Sequence, residues 1–209
     1  MKKITFATYY SEQYADLAKI LLPNRKKYCE KNNYKLAVYR GPVGVDKGPG
    51  FNKINFIREE LKTADIVVWN GIDVAFMNLC FDLNVILKKH QSKSIILTSD
   101  CFGINSDNMI FKKCPWSEQL LQAIDQLGYC LYKNHVWAEQ EAIIRFAQSE
   151  PYAGRIGYEP QNSMNSYLNQ LYGRPITWPG NYKEGDWLIH LPGLDMPSRL
   201  KIAKILCPD

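Results

Sequence analysis

The strongest constraint in this sequence is a set of short apolar runs that do not alternate. Ile66-Val67-Val68-Trp69 is apolar at every position and stops at Asn70-Gly71, a strong turn dipeptide. Ile4-Thr5-Phe6-Ala7-Thr8, Leu36-Ala37-Val38-Tyr39 and Ile95-Ile96-Leu97-Thr98 have the same character. Met109-Ile110-Phe111 and Trp187-Leu188-Ile189-His190 add two more such runs. A strand with one wet face alternates apolar and polar residues, whereas a strand apolar on both sides must be covered on both.

Between these runs the apolar spacing becomes helical. Leu17, Ile20 and Leu21 follow Ser11, which is placed to cap a helix, and Ile54, Ile57 and Leu61 mark a second. Helices are predicted over about 116–127 and 137–148, and Pro197 opens a closing helix with Leu200, Ile202, Ala203 and Ile205. Gly41-Pro42-Val43-Gly44 and Gly48-Pro49-Gly50 predict a loop. Strands alternating with helices predict an α/β fold: a mixed, mostly parallel central sheet flanked by helices on both faces.

The 209 residues suit a single domain, 1–209. With 46% apolar and 22% charged residues, collagen, coiled coil and bulk disorder are excluded. No window of about 18 apolar residues exists, so no membrane span is expected. Met1-Lys2-Lys3-Ile4-Thr5-Phe6 lacks the apolar run of a signal peptide. The cysteines at 29, 80, 101, 114, 130 and 207 form no Cys-x-x-Cys and no zinc spacing. With no glycosylation sequon, they predict free thiols in a reducing, cytoplasmic setting. The net charge of +5 is too weak to predict a nucleic-acid partner, and it suits an anionic small molecule. The densest cations, Arg25, Lys26, Lys27 and Lys31, are expected on a solvated helix face.

Three familiar nucleotide and hydrolase motifs are missing. Thr8-Tyr9-Tyr10 stands where a dinucleotide fold carries Gly-x-Gly-x-x-Gly, and neither a phosphate-binding Walker loop nor a Gly-x-Ser-x-Gly elbow occurs. In open α/β sheets ligands bind at the carboxyl ends of strands. Asp73, Asp100 and His190 stand at such ends. Carboxylates with one imidazole suit Mn²⁺ or Mg²⁺ better than zinc. Each residue also has an ordinary reading: Asp in an Asx turn, His as a satisfied structural residue.

Five ordered segments sharpen this. They are Trp69-Asn70-Gly71-Ile72-Asp73 running to Met77-Asn78; Ile104-Asn105-Ser106-Asp107-Asn108 running to Trp116-Ser117; Trp137-Ala138-Glu139-Gln140-Glu141; Pro160-Gln161 with Asn165-Ser166-Tyr167; and Gly185-Asp186-Trp187 running to His190-Leu191-Pro192-Gly193. Together they resemble glycosyltransferase family 34, the galactosyl/mannosyltransferase group, which has the GT-A fold. Lys53 and Arg58 lie in a helix that also looks family-like.

The resemblance implies transfer of a hexose or deoxyhexose from a UDP-sugar to a hydroxyl of an oligosaccharide or glycoprotein acceptor, with retention. It implies Asp73 and His190 as ligands of Mn²⁺ (or Mg²⁺), and Lys53 or Lys201 near the diphosphate. Thr8, Tyr9, Tyr10, Lys53, Asp73 and Gly193 are the implied nucleotide contacts, with Tyr9 or Tyr10 stacked on the base. Asp100, Asn105, Glu139 and Gln140 are the implied donor-sugar contacts, with Glu139, Gln140 and Asp100 catalytic. Loops 40–50 and 150–185 would shape the acceptor site, and further domains of a longer polypeptide would fit.

Two departures stand out: Gly71 where the family has an Asp, and Asp107 where it usually has Gly. Gly71 motivates a competing reading, a degenerate module that holds a nucleotide sugar or glycan without turnover. A third reading is an unrelated nucleotide-binding enzyme on a doubly wound sheet. Trp69, Trp116, Trp137 and Trp187 are expected to serve packing.

Overall fold

The computed structural model describes residues 2–41, 48–169 and 171–208. In chain order the elements are β1 (Ile4–Tyr10), α1 (Ala15–Lys31), β2 (Lys35–Arg40), α2 (Gly48–Leu61), β3 (Ile66–Asn70) and β4 (Val74–Phe76). There follow α3 (Asn84–Lys89), β5 (Ile95–Asp100), β6 (Gly103–Lys112), α4 (Pro115–Ala123), α5 (Tyr129–Tyr132) and α6 (Ala138–Ala147). The chain closes with β7 (Ile156–Glu159), α7 (Gln161–Met164), β8 (Ser166–Tyr167), β9 (Leu188–His190) and α8 (Met196–Leu206).

The main sheet has the order β2-β1-β3-β6-β5-β7. β1 runs parallel to β2 and β3, because α1 and α2 carry the chain back across the sheet. β5 runs parallel to β7. β6 runs antiparallel to both β3 and β5, since β5 and β6 meet in a tight hairpin that turns at Gly103, φ 113°. Val67 and Trp69 pack under α2, α4 and α6, while Ile66 and Val68 pack on the α1 and α3 side with Phe6, Tyr28, Phe76 and Trp187. Neighbouring residues of β3 thus enter opposite cores, which is why its sequence does not alternate. A small second sheet, β4-β9-β8, sits at the end of β3.

Several expectations change. Gly48-Pro49-Gly50 opens α2 instead of forming a loop, and Pro42–Lys47 lies outside the described residues. Ser11 makes no side-chain cap; its carbonyl accepts the Tyr14 N–H at 2.9 Å and starts a short 3₁₀ turn, Glu12–Tyr14. The strand predicted at 109–111 is the end of the longer β6, whose first residues are too polar to read as buried strand. Trp137 is 40% exposed, not packed.

Arg25 overturns the solvated-face reading. Lys26, Lys27 and Lys31 are exposed, but Arg25 is fully buried and donates to the carbonyls of Asn70, Gly71 and Val74 at 3.3, 2.6 and 3.4 Å. Burial pushes its pKa down to about 10, with Asp73 opposing. A charged donor on these carbonyls fixes the β3–β4 turn, and that turn carries Asp73. Among the described residues, no helix is long and apolar enough to cross a membrane.

Candidate active site

β1 and β3 end side by side, the middle of the antiparallel β6 lies next to the end of β3, and a cleft of about 340 Å³ opens there beside the α8 N-terminus. Its lining includes Tyr9, Tyr10, Lys53, Trp69, Asp73 and Asp107, with Gly193 and Arg199 on the far side. Tyr9 lies flat against Phe56, ring centroids 5.3 Å apart. Gly193 has φ 65°, and a Cβ there would fall 2.1 Å from the Tyr172 hydroxyl, so both backbone and space require glycine.

Asp73, Asp107 and His190 converge at the cleft floor, with one potential ligand atom from each lying within 4.8 Å of the others. Asp73 sits in the turn held by Arg25, Asp107 comes from the middle of β6, and His190 ends β9. His190 Nε2 faces Asp73 Oδ1 at 3.4 Å and Asp107 Oδ2 at 3.7 Å. A chain of amides orients the ring. Asn70 donates to Asn108 at 2.8 Å, Asn108 donates to Asn165 Oδ1 at 3.0 Å, and His190 Nδ1 donates to the same oxygen at 2.7 Å. With its proton on Nδ1, a neutral imidazole keeps the Nε2 lone pair for the cleft. That nitrogen is fully buried and has no hydrogen-bond partner.

A buried, unpartnered acceptor beside two carboxylates is what a divalent cation would satisfy. The mixed oxygen and imidazole set fits Mn²⁺ or Mg²⁺. Burial alone would lower the His190 pKa, but Asp73, by charge and, once Nε2 is protonated, by hydrogen bonding, then Asp107 and Asp100, outweigh it and raise it, so without a cation the two carboxylates favour a proton on the nitrogen that a cation would take. Burial would likewise raise Asp107, yet Lys53, His190 and Arg199 hold its carboxyl below the ordinary range.

Two cations flank the trio. Arg199 reaches Asp73 Oδ2 at 3.2 Å while its Nε donates to the Leu191 carbonyl at 2.9 Å. It is set by the start of α8, where Asp195 accepts from the Ser198 N–H at 2.8 Å. Lys53, from α2, contacts Asp107 Oδ1 at 3.0 Å and Glu139 Oε1 at 2.8 Å. Burial disfavours its charge, but the two carboxylates win and its pKa is raised. Ser106 links the next residues: its hydroxyl donates to Glu139 at 3.1 Å, and its N–H donates to Gln140 Oε1 at 3.3 Å.

The sequence-predicted residues therefore separate. Lys53, Asp73, Glu139, Gln140 and His190 join one network through Asp107 and Ser106, and Tyr9, Tyr10 and Gly193 line the cleft. Thr8 is fully buried and is not among the lining residues. Asp100 accepts from Tyr167 at 2.5 Å, Asn105 at 3.0 Å and the Phe102 N–H at 2.7 Å, so it and Asn105 brace the β5–β6 hairpin. Lys201 is exposed, and Arg199 is the α8 cation that meets Asp73. Sequence reasoning missed Arg199, Ser106 and Asn165. For Ser106 the signal was present: Asn105-Ser106-Asp107-Asn108 is a polar block directly before an apolar strand run.

Several solved glycosyltransferases share this fold. A glycosyltransferase involved in glycosylation of the major capsid of PBCV-1 superposes with TM-score 0.76 at 12% identity, covering 97% of this chain and 99% of that one. Apo-form GlyE of Streptococcus pneumoniae TIGR4 gives 0.69 at 12%, covering 100% of this chain and 61% of that one. Galactosyltransferase LgtC, solved with donor and acceptor sugar analogues, gives 0.60 at 11%, covering 97% and 95%. At these identities the likeness establishes the fold, which is GT-A. No curated protein matches the sequence. Residues 83–199, more than half of the chain, match the galactosyl transferase GMA12/MNN10 family, and the chain belongs to that family. The match includes Asp107, Glu139 and His190 but begins after Lys53 and Asp73.

Proposed function

We propose that this protein is a metal-dependent glycosyltransferase that moves a hexose or deoxyhexose from a UDP-sugar to a hydroxyl of an oligosaccharide or glycoprotein, with retention. The observation that carries this is the unpartnered His190 Nε2, buried opposite Asp73 and Asp107 on the floor of a tyrosine-walled cleft. Asp73, Asp107 and His190 would hold Mn²⁺ or Mg²⁺. A cation there would neutralise charge developing on the leaving diphosphate.

The chain's own residues do the rest. Arg199 and Lys53 add positive charge at the two sides of the trio, and Tyr9 or Tyr10 stacks on the uracil, with Gly193 closing over the nucleotide. Asp100 and Asn105 contact donor-sugar hydroxyls. Glu139 and Gln140 face the reacting carbon. Glu139 Oε1 is held by Lys53 and Ser106, and its Oε2 lies under Gly50. Such an anchored carboxylate supports an electrostatic role toward the oxocarbenium ion over a nucleophilic one. The acceptor then attacks from the face that the diphosphate leaves.

Aromatic rings support a path for that acceptor. From His190 they run through Tyr167 at 5.8 Å, Tyr172 at 6.1 Å and Phe102 at 5.2 Å to Trp137 at 6.3 Å. The outer three are 40–47% exposed, a wall on which pyranose faces stack. The free cysteines suit a reducing compartment, and the unit works as one domain, alone or within a longer polypeptide.

The test is release of UDP from a panel of UDP-sugars, with and without Mn²⁺, on wild type and Asp73→Asn. The reading expects metal-dependent turnover that Asp73→Asn abolishes. Gly71 favours the alternative of a non-catalytic module, and tight UDP binding without turnover on any donor would establish that instead.

A further inference from the structure

Gly71 has no conformational reason to be glycine: its backbone is not among those in the left-handed region. What constrains it is space. A Cβ at 71 would lie 3.2 Å from both Cβ and Cγ of Asp107 and 2.9 Å from Asp73 Oδ1. The two positions are cross-strand neighbours, since Gly71 N–H donates to the Asp107 carbonyl at 2.8 Å and Asn70 pairs with Asn108 in the β3–β6 register. The Asp107 carboxylate thus fills the volume that a side chain at 71 would enter. Lys53 holds its Oδ1 at 3.0 Å, which leaves Oδ2 turned to His190.

We infer that positions 71 and 107 form one unit that delivers a single carboxylate to the cation site, from 107 because 71 is empty. This rests on the metal reading above. The unit has two states of equal charge: Gly71 with Asp107, as observed, and Asp at 71 with Gly at 107. Two carboxylates together would crowd Asp73 and add unpaired negative charge to a buried floor. With none, the cation keeps only Asp73 and His190.

The experiment is Mn²⁺ affinity without nucleotide, read by the electron paramagnetic resonance of free Mn²⁺, on wild type, G71D, D107G, D107N and the G71D/D107G double variant. Thermal melts of the metal-free proteins check folding, and D107N keeps the side-chain volume. D107G and D107N are expected to weaken Mn²⁺ binding at least about 10-fold, since losing even an outer-shell partner of a metal costs roughly 10–100-fold. The double variant is expected to recover to about threefold of wild type, a coupling that independent sites do not show. G71D alone is expected to melt earlier than wild type. Wild-type affinity in D107N, or a double variant no better than D107G, overturns the inference while leaving the metal reading intact. A wild type that binds no Mn²⁺ with or without UDP overturns both.

Discussion

Gly50 is the position where a single methyl group tests how Glu139 is held. A Cβ there would lie 1.9 Å from Glu139 Oε2 and 2.5 Å from its Cδ. In Gly50→Ala the carboxylate must therefore swing off Lys53 and Ser106, now 2.8 and 3.1 Å away. Lys53 keeps Asp107, Ser106 keeps Gln140, and the displaced carboxylate turns out toward the cleft and its water, so the net loss of the two contacts to Glu139 is about 1.5–3 kcal/mol. Against this, replacing Gly by Ala in a helix gains at most about 1 kcal/mol. The net is a destabilisation of about 0.5–3 kcal/mol, or a fall in Tm of roughly 1–12 °C for a chain of this size. In a Glu139→Ala background the collision is gone, and the same change should stabilise by up to about 1 kcal/mol. Urea melts of the four proteins measure the coupling, expected at about 2 kcal/mol. A Gly50→Ala protein more stable than wild type, or equal effects in both backgrounds, would refute the idea that α2 clamps this carboxylate.

Other consequences are equally concrete. Arg25→Met strips the donors from three carbonyls of the β3–β4 turn and should cost about 2–4 kcal/mol in urea melts, with Mn²⁺ affinity falling because Asp73 loses its support. Glu159 is paired with Lys89 at 2.8 Å and His90 at 2.6 Å; burial opposes ionisation, but these partners hold its pKa below the ordinary value. A depressed carboxylate stabilises above its unfolded pKa, about 4.3, and loses that contribution as pH falls through the folded value. The Tm gap between wild type and Glu159→Gln should therefore be widest near neutrality and close in acid; a gap that widens in acid would contradict this. Trp137→Ala should raise the acceptor KM roughly tenfold through lost ring stacking while the donor KM stays unchanged, measured by steady-state kinetics.

The parts of the fold that were legible are those where burial acts on every residue. β3 reads as strand because its odd and even side chains enter different cores. β6 was half hidden because Asn105, Ser106 and Asn108 are buried polar residues and Asp107 a half-buried one, and all but Asn105 find partners distant in sequence such as Lys53, Gln140 and Asn165. Arg25 looked like its exposed neighbours, since nothing local announces that a guanidinium will cap carbonyls more than forty residues away. Asp73 and His190 were visible because Asp73 follows an apolar strand run by one turn and His190 ends one. Arg199 was not, because an Arg near the start of a last helix reads as surface. The two departures from the family pattern, Gly71 and Asp107, looked unrelated in sequence and are in contact across β3 and β6.

Whether Asp73, Asp107 and His190 hold the cation on which a donor diphosphate docks is tested most directly by a crystal structure with UDP and Mn²⁺, using anomalous scattering at the manganese edge. The expected result is one strong peak bonded to Asp73, Asp107 and His190 Nε2, with diphosphate oxygens completing its shell and the uracil against Tyr9 or Tyr10. UDP bound in the cleft with no anomalous peak among these three residues would contradict it.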